Sequence, residues 1–211
     1  MESILAGVAL FQKGGVIMYV LLLCSIFVIS IAVERGLYFA RADSGRTFAR
    51  DFVHFMERGE YAKARAQAEA ARGSLADILF ATMKRLREGD ASFTSYMEVQ
   101  SGIAIARLRK RLYYLSVIVT MAPLLGLLGT ISGMISAFSV FNVQSGASSQ
   151  ITGGVGEALV ATAMGLCVAI FALAIHAYFT QRIDTIVTDM ELCFSLVEGE
   201  REKLAKEGAA Q

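Results

Sequence analysis

The stretch GGVGEALVATAMGLCVAIFALAI, residues Gly153–Ile175, holds one charged side chain, Glu157. Its isolation extends further: between Arg111 and Arg182, Glu157 is the only Asp, Glu, Lys or Arg. An uncharged run of that length does not belong on the surface of a water-soluble domain. It fits apolar helices crossing a bilayer, for which about 20 residues suffice. The composition agrees. The 211 residues are 55% hydrophobic and 18% charged, with a mean hydropathy of +0.53, against a charged share of about 25% in ordinary soluble domains.

Working outward from this stretch, three spans are expected. The first is 16–34, with no charge from Gly14 through Val33 and a stop at Glu34-Arg35. It lacks a basic leader and a small-residue cleavage site, so it reads as a retained helix rather than a signal peptide. The second is 112–141 and the third 155–180. Between them, 142–154 includes NVQSGASSQITGG, polar and uncharged, and reads as an exposed loop. Residues 1–15 form a short external N-terminus, 35–111 a cytoplasmic helical domain and 181–211 a cytoplasmic helix or tail. Orientation follows from basic residues: 15 of the 20 Lys and Arg lie between Arg35 and Arg111, and four more follow Gln181. Positive charge stays on the cytoplasmic side, which places the N-terminus outside and the C-terminus inside.

Helical periodicity organises the segment 35–111. Phe48, Phe52, Phe55 and Met56 share a face that Gly59 ends; Tyr61–Ala71 is alanine-rich and precedes Gly73; Leu75, Ile78, Leu79, Met83 and Leu86 form a second face, ended near Gly89-Asp90. Phe93, Met97, Ala104, Leu108, Leu112 and Leu115 form a third, predicted to run without a break into the second span. The cluster Arg107, Arg109, Lys110 and Arg111 directly abuts an apolar span. It therefore reads as a topology signal in contact with anionic lipid, not as a nucleic-acid surface.

Within the spans, lipid gives helices no hydrophobic reason to associate, and small residues permit close backbone approach instead. Gly126, Gly129 and Gly133 in the second span, and Ala158 and Gly165 in the third, are the candidate packing positions, and they point to an oligomer. Thr120, Thr130, Ser132 and Ser136 have a simple role, each bonding a carbonyl of its own helix one turn back. A sharper one has Thr130 and Thr162 facing a narrow ion path. Glu157 also has two readings. In the first turn of its helix it would meet the positive end of the macrodipole; buried deeper, it would take part in ion movement. His176 reads as an interfacial, structural histidine.

Other chemistry finds little support. Cys24, Cys167 and Cys193 have no metal-ligand spacing, so neither a zinc site nor a disulfide framework is expected. No nucleophile–base pair is visible. The glycines at 153, 154 and 156 lack the lysine and hydroxyl of a phosphate loop. An enzyme, a resident cofactor and a metal are not expected. A secondary transporter would need repeats that the spans do not display.

APLLGLLGTISGMISAF, Ala122–Phe138, resembles the second-span signature of the MotA/TolQ/ExbB proton-channel family. GEALVATAMGLCVAI, Gly156–Ile170, resembles the third-span signature, and GGVIMYVLLL leading to ERGLYFAR fits the first span. The resemblance covers essentially the whole chain and is closest to the ExbB/TolQ branch. It implies an all-α integral membrane protein whose three spans continue into long cytoplasmic helices. Five copies would form a ring in the bacterial inner membrane, with the N-terminus periplasmic. Two single-span helices of an ExbD- or TolR-like partner would occupy the pore, and a TonB- or TolA-like transducer would carry force outward.

The family's pore threonines correspond to Thr130 and Thr162, and its span-three glutamate to Glu157. Protons would be the coupling ion, with sodium open. The implied function is conversion of the proton-motive force into work on a periplasmic or outer-membrane partner. The alternatives are the stator of another rotary machine, in gliding, secretion or flagellar rotation, and a non-conducting scaffold. The chain departs from the family in span three: Phe171 stands where a proline is usual, and Ala177 where an asparagine is often found.

Overall fold

The computed structural model describes residues 15–141 and 148–209. They form eight helices: α1 Gly15–Ala42, α2 Arg46–Glu57, α3 Tyr61–Ala70, α4 Ser74–Arg87, α5 Phe93–Arg109, α6 Leu112–Phe141, α7 Ser148–Gly199 and α8 Arg201–Ala209. No strand occurs among the described residues. Three helices, α1, α6 and α7, are long and apolar enough to cross a membrane. The fold is therefore the expected all-α membrane architecture. At 1.5 Å per residue, the 52 residues of α7 span about 78 Å. That exceeds twice the apolar thickness of a bilayer, about 30 Å, so a large part of α7 lies beyond the hydrocarbon.

The chain divides into two compact units. One comprises the described residues of Met1–Val33 and Arg111–Tyr178; the other comprises those of Glu34–Lys110 and Phe179–Gln211. The first unit is apolar outside as well as inside. Met18, Leu21, Val28 and Ile31 of α1 are buried with Leu115, Ile118 and Ala122 of α6 and Ala161, Val168 and Ala172 of α7. Leu23, Ile29, Leu124, Ile135, Leu159 and Ile170 face outward. Water would not tolerate so much exposed apolar surface, whereas lipid is indifferent to it.

The second unit has the opposite pattern, an apolar interior with a charged exterior. The stripes read from the sequence are its core: Phe52, Met56, Leu75, Leu79, Met83, Leu86, Phe93, Met97 and Leu108 are all buried. α4 packs against α3, α5 and α8. A further stripe, Ile183, Ile186, Met190, Cys193 and Val197, is also buried. Its three- and four-residue spacing is helical, so 181–211 is structural core and more than a tail. Phe39 stacks against Phe179 with ring centroids 5.1 Å apart, and Asp43 pairs with Arg182 at 2.8 Å.

The turns follow from glycine. After α2, Gly59 (φ 71°) donates to the Met56 carbonyl and Glu60 to that of Phe55. After α4, Gly89 (φ 76°) donates to Leu86 and Asp90 to Arg85. Both are Schellman ends, which close a helix through a left-handed residue. Asp90 then accepts bonds from the Ser92 hydroxyl and amide and from Arg85, which hold its carboxyl below the usual range. Gly73 has φ 121°, and a side chain there would collide with the Ser44 backbone, whose N lies 2.7 Å from the Cβ position. Ser44 in turn accepts a bond from the Ala76 amide at 3.2 Å, satisfying an amide at the start of α4 that has no intrahelical partner.

Two expectations need correction. The third stripe does not run unbroken into the second span. α5 ends at Arg109, Lys110 is extended, and Arg111 is the one non-glycine described residue with positive φ, at 70°. The carbonyl that the next turn would use is Arg107's, and it accepts the buried Arg35 guanidinium at 3.0 Å. A cation at a helix C-terminus is favourable on two counts, charge and hydrogen bonding. These offset the left-handed Arg111, which costs about 1–2 kcal/mol. The second correction concerns the loop 142–154. Residues 142–147 lie outside the described residues, as does the expected external N-terminus up to residue 14. Residues 148–154 are already helix. Glycine's low helix propensity is outweighed there by packing, because Gly154 lies against Ala137 of α6.

Gly73→Ala should destabilise the protein by at least about 2 kcal/mol, since strain and collision coincide. Thermal unfolding followed by circular dichroism would test this, and an unchanged midpoint would refute it. Cys193 is fully buried, and burial, reinforced by the charge of Asp189, pushes its thiol from 9.0 up to about 12. The folded thiol keeps its proton to higher pH than the unfolded one. Stability should therefore fall as pH rises from 9.0 towards about 12. In a Cys24→Ala, Cys167→Ala background, maleimide labelling at pH 8 should be at least about 1000-fold slower in the folded protein than in the unfolded one. Equal rates would disprove the assignment.

Candidate functional site

The seam between α6 and the first half of α7 is built from backbone contact. A Cβ on Gly126 would lie 3.0 Å from the Thr162 Cα and 3.1 Å from the Ala161 carbonyl oxygen. On Gly129 it would lie 2.5 Å from the Ala161 Cβ, and on Gly133 2.9 Å from that of Ala158. On Gly165 it would lie 2.5 Å from the Ala122 carbonyl oxygen. Rising numbers on α6 meet falling numbers on α7, so the two helices are antiparallel. The seam brings together all five of the candidate packing residues, Gly126, Gly129, Gly133, Ala158 and Gly165.

A hydrogen bond crosses the seam. The Thr162 hydroxyl donates to the Gly126 carbonyl at 2.9 Å. It reaches that carbonyl because Gly126 has no side chain to hold the two backbones apart. In lipid such a bond contributes about 0.6–2 kcal/mol. Thr130 behaves differently, donating to Leu127 of its own helix at 2.7 Å. Thr120 likewise turns back, to Val117 at 2.9 Å. Bonding one turn back thus describes Thr120 and Thr130, but Thr162 spends its proton on the neighbouring helix.

Glu157 lies in α7 directly before the buried Ala158; its side chain lies outside the described residues. Its backbone position still decides one question. α7 begins at Ser148, which places Glu157 about 13 Å along the helix. The macrodipole acts within the first turn, so it does not account for an acid at this depth. Phe171, where the resemblance expects proline, sits in uninterrupted helix. It is 70% exposed and lines an apolar cleft of about 280 Å³ with Val28 and Cys167. His176 is half-buried. Among the described residues no group of three or more His, Cys, Asp or Glu is placed to hold a metal.

The sequence reading missed Arg35 as an anchor. It is 3% exposed, paired with Glu34 at 2.7 Å and 4.7 Å from the Tyr38 ring centre. Tyr38 lies three residues on, one helical turn away, so that contact was legible; the bond to Arg107 joins distant segments and was not.

Comparison with known proteins bears directly on these spans. Residues 70–192 match the model of the MotA/TolQ/ExbB proton channel family. A putative biopolymer transport protein ExbB-like 1 from Synechocystis is 39% identical over 171 residues, covering 78% of this chain and 67% of that protein. Biopolymer transport protein ExbB of Neisseria meningitidis is 29% identical, covering 81% of this chain and 84% of that protein. The Tol-Pal system protein TolQ of Haemophilus influenzae is 34% identical over a shorter stretch, 40% of this chain and 38% of its own. A family of transport and channel type, not of enzymes, thus accounts for the three apolar helices, and this multi-pass membrane protein belongs to the MotA/TolQ/ExbB proton channel family, in its ExbB/TolQ branch.

Proposed function

We propose that the chain is the ring subunit of an inner-membrane motor that couples the proton-motive force to mechanical work on a periplasmic or outer-membrane partner. The observation that carries this reading is the depth of Glu157, more than two turns inside α7 in an otherwise uncharged run. An ionisable residue in a span is costly, and function is the usual reason it is kept. Five copies form the ring, with the N-terminus periplasmic and the second unit cytoplasmic. A dimer of an ExbD/TolR-like single-span protein occupies the pore, and a TonB/TolA-like protein transmits force. Protons are the coupling ion. Each charge moved through 100 mV releases about 2.3 kcal/mol, so a few protons per step supply useful work. Thr162 holds α7 on α6 beside Glu157, and Thr130 lies on the same stretch of α6. The relatives' names, biopolymer transport and Tol-Pal system, support work on the cell envelope.

Glu157→Gln should abolish proton-driven work while membrane insertion and native complex mass stay unchanged. Thr162→Ser, which keeps the donor, should retain most activity, and Thr162→Val should lose it. Native mass spectrometry of the complex, with its co-purifying chains identified, reads assembly; proton flux in proteoliposomes reads transport. Full flux in Glu157→Gln would refute the role given to Glu157, and no flux through the wild-type complex would leave a non-conducting scaffold as the better account.

A further inference from the structure

We infer that the second unit carries a binding site for a phosphate-bearing anion, in the groove between α3 and α4. The site lies outside the residues assigned to the motor and does not rest on that reading. Two adjoining clefts, each of about 250 Å³, share Arg65 of α3 and Arg87 of α4. Lys84 and Glu88 complete one; Glu69, Met83 and Leu204 are among the walls of the other.

Three cations thus converge from two helices, facing the acids Glu69 and Glu88. Lys84 and Arg87 are three residues apart and so share a face of α4. Neither Arg65 nor Lys84 forms an ion pair among the described residues, although both acids stand in the same clefts. The Arg65 Nε is buried and donates to no protein atom. Buried donors are nearly always satisfied, and one that is not calls for a specific cause. The guanidinium lies 5.9 Å from the centre of the Phe80 ring. That is a cation–π distance, and the guanidinium is a planar donor fork suited to an oxyanion. Phosphate oxygens match this set: one group accepts from the Arg65 fork while Lys84 supplies a point charge. Met83 and Leu204, both buried, give the adjoining cleft an apolar wall, suited to the body that carries the phosphate.

The experiment uses the full chain in nanodiscs of zwitterionic lipid, with pyrophosphate as probe and binding read by calorimetry. Saturable binding that weakens at least tenfold in Arg65→Gln and in Lys84→Gln is expected. Arg50→Gln is the control: it removes the same charge from a side chain that is 78% exposed elsewhere in the unit, and it should bind as the wild type does. If pyrophosphate fails to bind but phosphatidylglycerol in the nanodisc raises the unfolding temperature in an Arg65-dependent way, the phosphate is that of a lipid head group, and the site stands. No binding of either probe, or an equal loss in Arg50→Gln, would overturn it. Unchanged helical circular dichroism in the variants separates loss of the site from loss of the fold.

Discussion

The membrane part of this protein depends on the absence of side chains at Gly126 and Gly165. In water, helices are driven together by apolar burial; in lipid that force vanishes, because a leucine is as well solvated by acyl chains as by another leucine. What remains is contact between backbones and the few polar bonds that such contact permits. The Thr162 hydroxyl reaches the Gly126 carbonyl only because no methyl group intervenes. The other small pairs, Gly129 with Ala161 and Gly133 with Ala158, extend the same contact along the seam. Glu157 is carried on the helix that this contact holds.

The second unit is governed by the other solvent. Its helices α2 and α4 are closed by left-handed glycines, and its stripes are buried in the ordinary way. Arg35 shows how ionic chemistry serves this part of the chain. A nearly fully buried guanidinium is tolerated because Glu34, the Tyr38 ring and the carbonyl at the end of α5 surround it. The Asp43–Arg182 pair and the Tyr61–Glu200 bond at 2.8 Å join segments distant in sequence.

Much of this was legible in the residues. Periodicity gave the four helices α2–α5 and most of the core, because local amphipathicity and glycine punctuation agree there. Hydropathy gave the three long helices. What escaped were features set by long-range partners. The break at Lys110–Arg111 interrupts a continuous apolar stripe, and the carbonyl it frees accepts a guanidinium 72 positions earlier in the chain. The early start of α7 runs against glycine propensity and is supported by Ala137 on a different helix. The stripe from Ile183 to Val197 was readable at helical spacing, but the surrounding charges made the segment look like a tail. The groove at Arg65 and Lys84 left no motif, since its residues come from two helices.

The stripe on the distal half of α7 has a consequence for biosynthesis. The second unit is discontinuous: Glu34–Lys110 leaves the ribosome before the second and third spans, and Phe179–Gln211 leaves it after them. Chains emerge at about 5–20 residues per second, so the early portion waits several seconds before Ile183, Met190 and Val197 are available to cover it. Two further spans must be delivered to the membrane in that interval. The unfinished helices keep apolar faces bare throughout, the condition under which nascent chains need chaperones. The vulnerable period in the life of this protein thus falls in the aqueous compartment and not in the bilayer.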